Sequence, residues 1–286
     1  MKKTGGLIYD VGMHDGSDTG YYLHNGYKVI AIDANPELIH KAQSRFKTHI
    51  ENGMLILLNL AISDSEGPVS FSISQNDIWS SIDTSIANRE GLFLKKVSVE
   101  AKKLSSLFTE YGTPLYCKID IEGYDAIALQ SLSPDYLSQY ISVESESISE
   151  DAVLTDDEAL LSLELLHTLG YDQFKLVDQS TLTPLAPGSK FYREQKVDMS
   201  LPARGVRYIK RKLGLNKERN YRTALSEKFG YDFKRGVTGP WGEDIEGEWY
   251  HYDTAKEMLL RHRKDYFAIP GAISFGFWCD WHAKKE

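Results

Sequence analysis

The sequence predicts a doubly wound α/β fold on a mostly parallel sheet, with a C-terminal cap or extension. Three observations carry this. Short apolar runs alternate with amphipathic helical stretches from Leu7 to Val177, a glycine turn follows the first run, and acids close several of the later ones. After about Ser200 the periodicity changes, so residues 1–200 are expected to form the main domain and 201–286 an extension.

The first strand, Leu7 to Val11, is bounded by glycines, and the second, Lys28 to Ile32, is β-branched and apolar, as buried parallel strands are. Between them Asp18 is placed to cap a helix carrying Tyr21 and Leu23. Gly12 and Gly16 fall where the chain turns off the strand and its backbone can approach a ligand. A dinucleotide fingerprint would place a third glycine where His14 stands, and Asp10 and Asp15 would put carboxylates against a pyrophosphate. A nucleoside cofactor with a cationic or zwitterionic end fits better, and S-adenosylmethionine is such a ligand. Asp33, at the end of the second strand, is placed to accept both hydroxyls of a ribose. Any doubly wound domain has a glycine after its first strand, so the inference rests on Asp10, Gly12, Gly16 and Asp33 occurring in one βαβ unit.

A helix from Pro36 presents Leu38, Ile39, Ala42 and Phe46 on one face, and a third strand is expected from Met54 to Ile62. At its end Ala61, Ile62 and Ser63 can flank an adenine ring, although a plain turn explains them nearly as well. Val69 to Ile73 and Lys95 to Ala101 are strand-like, and the stretch between, Gln75 to Leu94, is either a flap over the site or a long surface loop. PLYCKIDIEGYDAIALQSL from Pro114 is again strand, acidic turn and helix. Ile141 to Val143 continues the series and ends on Glu144 and Glu146, Asp156 is placed to cap the helix that closes at Gly170, and Phe174 to Val177 is a further strand.

In the extension, the stretch Leu201 to Arg222 has eight Lys or Arg against one Glu, with Val206, Ile209 and Leu213 at helical spacing. It suits a solvated helix against an acidic body, or weak contact with a membrane surface through 204–222. Four of the five tryptophans lie beyond it among glycines and carboxylates, in a pattern that serves a packed cap or a sugar-stacking surface.

The 286 residues carry a net charge of -8, which argues against general nucleic-acid binding. No apolar run reaches the length of a membrane span, and the N-terminus shows no secretory signal, so a soluble cytoplasmic protein is expected. Two isolated cysteines, Cys117 and Cys279, make neither a disulfide framework nor a zinc site, and no metal is expected.

IYDVGMHDGSDT, AIDANP, NLAISDSEG and KIDIEGYDAIAL, in this order, make the chain resemble the FkbM-type methyltransferases, a branch of the class I S-adenosylmethionine-dependent enzymes, over roughly residues 7 to 147. The resemblance implies a Rossmann-like fold and O-methyl transfer to a small-molecule or glycan acceptor, in polysaccharide or natural-product assembly. It implies that Asp10, Gly12 and Gly16 line the methionine end, Asp33 the ribose, and Asp120 and Glu122 the reacting side; His14, which replaces the glycine of the usual class I turn, and Ala34, Asn35, Ala61 and Ile62 are also expected to contact the cofactor. Asp120, at the carboxyl end of its strand, is the candidate general base, with Glu122 assisting and Lys118 structural or an ion-pair partner; the alternative is that both acids only cap the helix beginning near Gly123 or hold the cofactor's amino group. A nucleic-acid methyltransferase and a non-catalytic glycan- or lipid-binding module are the alternatives.

Overall fold

The computed structural model describes residues 5–75, 80–88, 91–145, 155–189, 205–206, 208–209, 212–213, 217–268 and 277–286. Its centre is an eight-stranded sheet ordered β10-β9-β11-β8-β7-β1-β2-β3. β1 (Leu7–Val11), β2 (Lys28–Asp33), β3 (Leu55–Asn59), β7 (Tyr116–Ile119) and β8 (Tyr140–Glu144) pair in parallel. β11 (Cys279–Lys284) runs antiparallel between β8 and β9 (Gln173–Asp178), and β10 (Thr183–Pro184) lies antiparallel on the outer edge. A second sheet, β4-β6-β5, joins Ala61–Ile62, Phe93–Lys102 and Gly67–Ser74.

This is the expected doubly wound, mostly parallel architecture, with three local corrections. The third strand does not run through to Ile62: it ends at Asn59, and β4 leaves to pair with β6. Asp18 does not cap α1 (Ser17–His24). The cap is Gly16, in a left-handed conformation, and Asp18 lies in the first turn with its carboxylate turned elsewhere. Thr155, not Asp156, caps α7 (Asp156–Leu169) through a reciprocal box with Glu158, which satisfies two end groups at once. Asp156 instead accepts from Arg263 at 2.7 Å.

Successive strand residues point to opposite faces of a sheet, and the two faces here are covered differently. One carries Tyr9, Val11, Ile32, Cys117, Ile141 and Trp281 against α5 (Leu104–Tyr111), α6 (Asp125–Gln130), α7 and α9 (Tyr252–Phe267). The other packs Ile8, Val29, Ala31 and Tyr116 against α1, α2 (Pro36–Arg45), α8 (Lys217–Phe229) and the segment Phe233 to Trp241. Trp241 stacks on Tyr116 with centroids 4.6 Å apart and planes 9° apart. The chain beyond residue 200 thus contributes a strand inside the sheet as well as cover for one face. Parts of the basic stretch 201–222 lie outside the described residues, as do Glu146 and parts of the Gln75 to Leu94 stretch; Val206, Ile209 and Leu213 are exposed. Among the described residues no helix is long and apolar enough to cross a membrane.

Candidate active site

The carboxyl ends of β1, β2 and β7 open into a cavity of about 410 Å³. Strand order reverses about β1, so the crevice lies where ligands of open α/β sheets bind. Gly12 has φ +80°, and a Cβ there would fall on the carbonyl oxygen of Asp120, so the turns after β1 and β7 meet only because that side chain is missing. His14 also lies in the left-handed region, at φ 49°, the conformation for which a glycine is usual. Its backbone N–H donates to Asp33 Oδ2 at 2.9 Å, tying the glycine turn to the end of β2.

Asp33 Oδ1 accepts from the Asn35 N–H at 2.8 Å. Each carboxylate oxygen therefore holds one backbone donor and keeps further acceptor capacity on a cavity wall. Burial pushes the Asp33 carboxyl up to about 6, against the pull of the two N–H donors. Ala34, Asn35, Ala61 and Ile62 line the same side, with Leu38, Phe71 and Ile82 adding apolar surface. Asn35 also caps α2, accepting from Glu37 N at 3.0 Å.

Two of the expected residues are not on the wall. Asp10 is fully buried beneath it, accepting from Thr19 Oγ1 at 2.6 Å and facing Lys118 Nζ at 3.2 Å. Gly16 instead lies against the Phe46 ring and caps α1. Asp120 and Glu122 do line the cavity, and the IEGY turn that carries Glu122 takes positive φ at Glu122 and at Gly123.

Lys118 is the residue whose full role the sequence did not reveal. Its Nζ donates to Gly12 O at 2.8 Å and lies 3.5 Å from Asp120 Oδ2 and 3.8 Å from Asp18 Oδ2, as well as beside Asp10. Burial alone would lower its pKa, but Asp10, Asp120 and Asp18 more than reverse this and hold it well above the usual lysine range. Around it several carboxyls are pushed upward: burial and then Asp120 raise Asp125 to about 7, burial and then Asp120 raise Asp280, and burial and then Glu122 raise Glu144. Among the described residues no group of His, Cys, Asp and Glu could hold a metal ion.

The far rim comes from the C-terminal extension, whose pattern suits a packed cap or a sugar-stacking surface but names no residue of the site. Asp18 accepts from the Thr238 and Gly239 N–H groups at 3.1 and 3.0 Å, Tyr231 OH donates to Ser17 O at 2.7 Å, and Lys234 pairs with Asp15 at 2.8 Å. Lys234, Arg235, Gly236, Val237 and Trp278 thereby line the cavity. These contacts span more than 210 positions of chain and have no local pattern to betray them. The described residues of the Gln75 to Leu94 stretch also reach the cavity, through Ser80 and Ile82, while Ser81 Oγ donates to Glu122 O at 2.9 Å.

A sheet of this order with its last strand reversed, and a cavity at the glycine turn, define a class I methyltransferase fold, Rossmann-like in its doubly wound layers. The profile of the FkbM methyltransferase domain matches residues 10–172, more than half of the chain, and the chain belongs to that family. Among solved structures it is similar to an FkbM methyltransferase from Methylobacillus flagellatus KT, with 14% identity, TM-score 0.37, and 57% of this chain and 37% of that one covered. It is also similar to a TehB-like SAM-dependent methyltransferase from Corynebacterium glutamicum, with 15% identity, TM-score 0.36, and 65% and 76% covered. The chain thus spans little more than a third of the first of these proteins. No curated protein matches it.

Proposed function

We propose that the protein is an O-methyltransferase that uses S-adenosylmethionine and acts on a hydroxyl of a small molecule, with a sugar or glycan precursor as the acceptor class. One observation carries the cofactor and the chemistry: Asp33, on the side suited to a ribose, and Asp120 with Glu122, on the side suited to an acceptor, line a single cavity. The acceptor class rests on family membership and on Trp278, an aromatic surface at the rim contributed by the C-terminal extension. On this view residues 201–286 act in part as a substrate cap.

The residues present fit the cofactor. Asp33 has acceptor capacity left for a diol, Ala61, Ile62 and Leu38 offer an apolar slot, and the acids near Gly12 suit a cationic centre. When bound, the cofactor supplies an electrophilic methyl group on a sulfonium. The chain's own part is alignment and proton handling. Holding the acceptor oxygen in line can supply roughly 7–11 kcal/mol of the barrier. Asp120 accepts the hydroxyl's hydrogen bond and takes the proton as the new O–C bond forms, a role typically worth about 10²- to 10⁴-fold. Lys118, pinned by Gly12 O and Asp10, keeps the Asp120 carboxylate in place, and Glu122 stands beside it.

Calorimetric titration with S-adenosylmethionine, followed by mass spectrometry of a panel of sugars and nucleotide sugars, tests this reading. Saturable binding and a gain of one methyl on a sugar oxygen are expected, and absence of binding would leave a non-catalytic module. Asp120→Asn is expected to bind the cofactor normally and to lose turnover across the pH range; undiminished turnover removes the base assignment.

A further inference from the structure

The cavity is lined by the carboxylates Asp15, Asp18, Asp33, Asp120 and Glu122, and three cationic side chains face them. Two are already committed. Lys118 is surrounded by Asp10, Asp18 and Asp120, and Lys234 is paired with Asp15, whose carboxyl burial would raise but which the lysine and the Ser17 N–H hold down to about 2. The third is Arg235. It is exposed at the rim and, among the described residues, makes no hydrogen bond, ion pair or ring contact.

The rim that presents it is held firmly. Tyr231 is bonded to Ser17 four residues before it, and Thr238 and Gly239 are bonded to the buried Asp18 carboxylate three and four residues after it. Val237, Thr238 and Gly239 are buried. The strap therefore crosses the start of α1, at the glycine-turn end of the cavity, away from the apolar slot of Ala61 and Ile62. A ligand with its nucleoside in that slot and its ribose on Asp33 brings its other end beneath this strap.

We infer that Arg235 is the recognition site for the α-carboxylate of the cofactor's amino-acid end, supplied by a segment outside the part of the chain that the family profile matches. The inference rests on the proposed cofactor. An amino-acid terminus needs both signs of charge at one end of the cavity, and the acids around Gly12 meet only its ammonium. A guanidinium offers two parallel N–H groups to a carboxylate, which a lysine cannot do. Among the described residues that line the cavity, Arg235 is the cation left for the task.

The test compares two ligands that share the adenosine half. S-Adenosylhomocysteine carries the amino-acid end; 5′-methylthioadenosine lacks it. Wild-type protein, Arg235→Ala and Arg235→Lys are titrated with each by calorimetry. Arg235→Ala is expected to lose on the order of tenfold in affinity for S-adenosylhomocysteine, the lower end for a charged hydrogen bond because the site is exposed, and nothing for 5′-methylthioadenosine; Arg235→Lys is expected to recover part of the loss. An equal loss for both ligands would show a general effect on the cavity and overturn the assignment. So would undiminished S-adenosylhomocysteine binding, and if the Michaelis constant of the acceptor then rises, the guanidinium serves an anionic acceptor instead. Wild-type protein that binds neither ligand refutes the cofactor reading itself, an outcome distinct from both.

Discussion

The two faces of the central sheet are built on opposite principles. On the face covered by α5, α6, α7 and α9 the strands present an almost wholly apolar surface, Tyr9, Val11, Cys117, Ile119, Ile141, Val143 and Trp281 among them. The same strands turn Asp10, Lys118, Ser142, Glu144, Asp280 and His282 to the other face, and nearly all are buried. The first face has stability spread over many exchangeable apolar contacts. The second holds polar and charged groups that water would otherwise solvate: Lys118 is matched to Asp10, burial pushes Glu144 and Asp280 up and His282 down toward their neutral forms, and α1 and the segment Phe233 to Trp241 close over this face. The cavity opens where this polar face reaches the carboxyl ends of the strands. The part of the sheet that carries the proposed chemistry is also the part with most to lose from a single missing partner.

The largest effect expected is on the polar face. Lys118→Met leaves Asp10 fully buried without its cation and should destabilise the fold by about 3–5 kcal/mol, the scale for breaking a buried pair, read from urea denaturation. A loss under 1 kcal/mol would mean that the polar face is not held by matched charge. Next, Asp33→Ala should weaken S-adenosylmethionine binding by about 1.5–3 kcal/mol, as for hydrogen bonds to a charged group, while thermal unfolding stays cooperative; an unchanged dissociation constant removes Asp33 from the site.

A pH test separates the faces further. His282 is buried with neither ring nitrogen hydrogen-bonded, and burial, then Lys175, pushes it down to about 3. Between about pH 6.5 and that value the unfolded chain binds a proton which the native state refuses, so this residue's contribution to stability falls as the pH drops. From pH 7 to pH 5 the loss should be about 2 kcal/mol. His282→Gln should remove that part of the slope, and a slope identical to wild type would show that the residue titrates normally. The smallest effect belongs to the apolar face, where Ile141→Val should cost about 0.5–1.5 kcal/mol with no pH dependence. A loss as large as that of Lys118→Met would erase the contrast between the faces.

The two faces were also unequally legible. The apolar strands β1, β2, β7, β8 and β9, the glycine turn, Asp33 and the IEGY turn can be read from runs of a few residues, because burial and turn geometry impose patterns on neighbours in sequence. β11 carried a signal that the reading passed over: Cys279, Trp281 and Ala283 alternate strictly with Asp280, His282 and Lys284. Its place between β8 and β9 carried none, since pairing partners lie more than 100 positions away in the chain.

By itself, then, the sequence determined the class of fold, the end of the sheet at which the cavity opens, and nine residues of the cavity wall, because each depends on local periodicity or on one residue in one turn. Only the tertiary structure decided that Asp10 lies under the wall as the partner of Lys118, that Asp18 leaves its helix end to hold Thr238 and Gly239, and that Arg235 reaches the rim without a partner among the described residues. The physical reason is the same for Asp10 and Asp18. A buried charge is satisfied by whatever opposite charge or N–H the fold brings within about 3 Å, and that neighbour is chosen by how the layers pack, not by its distance along the chain.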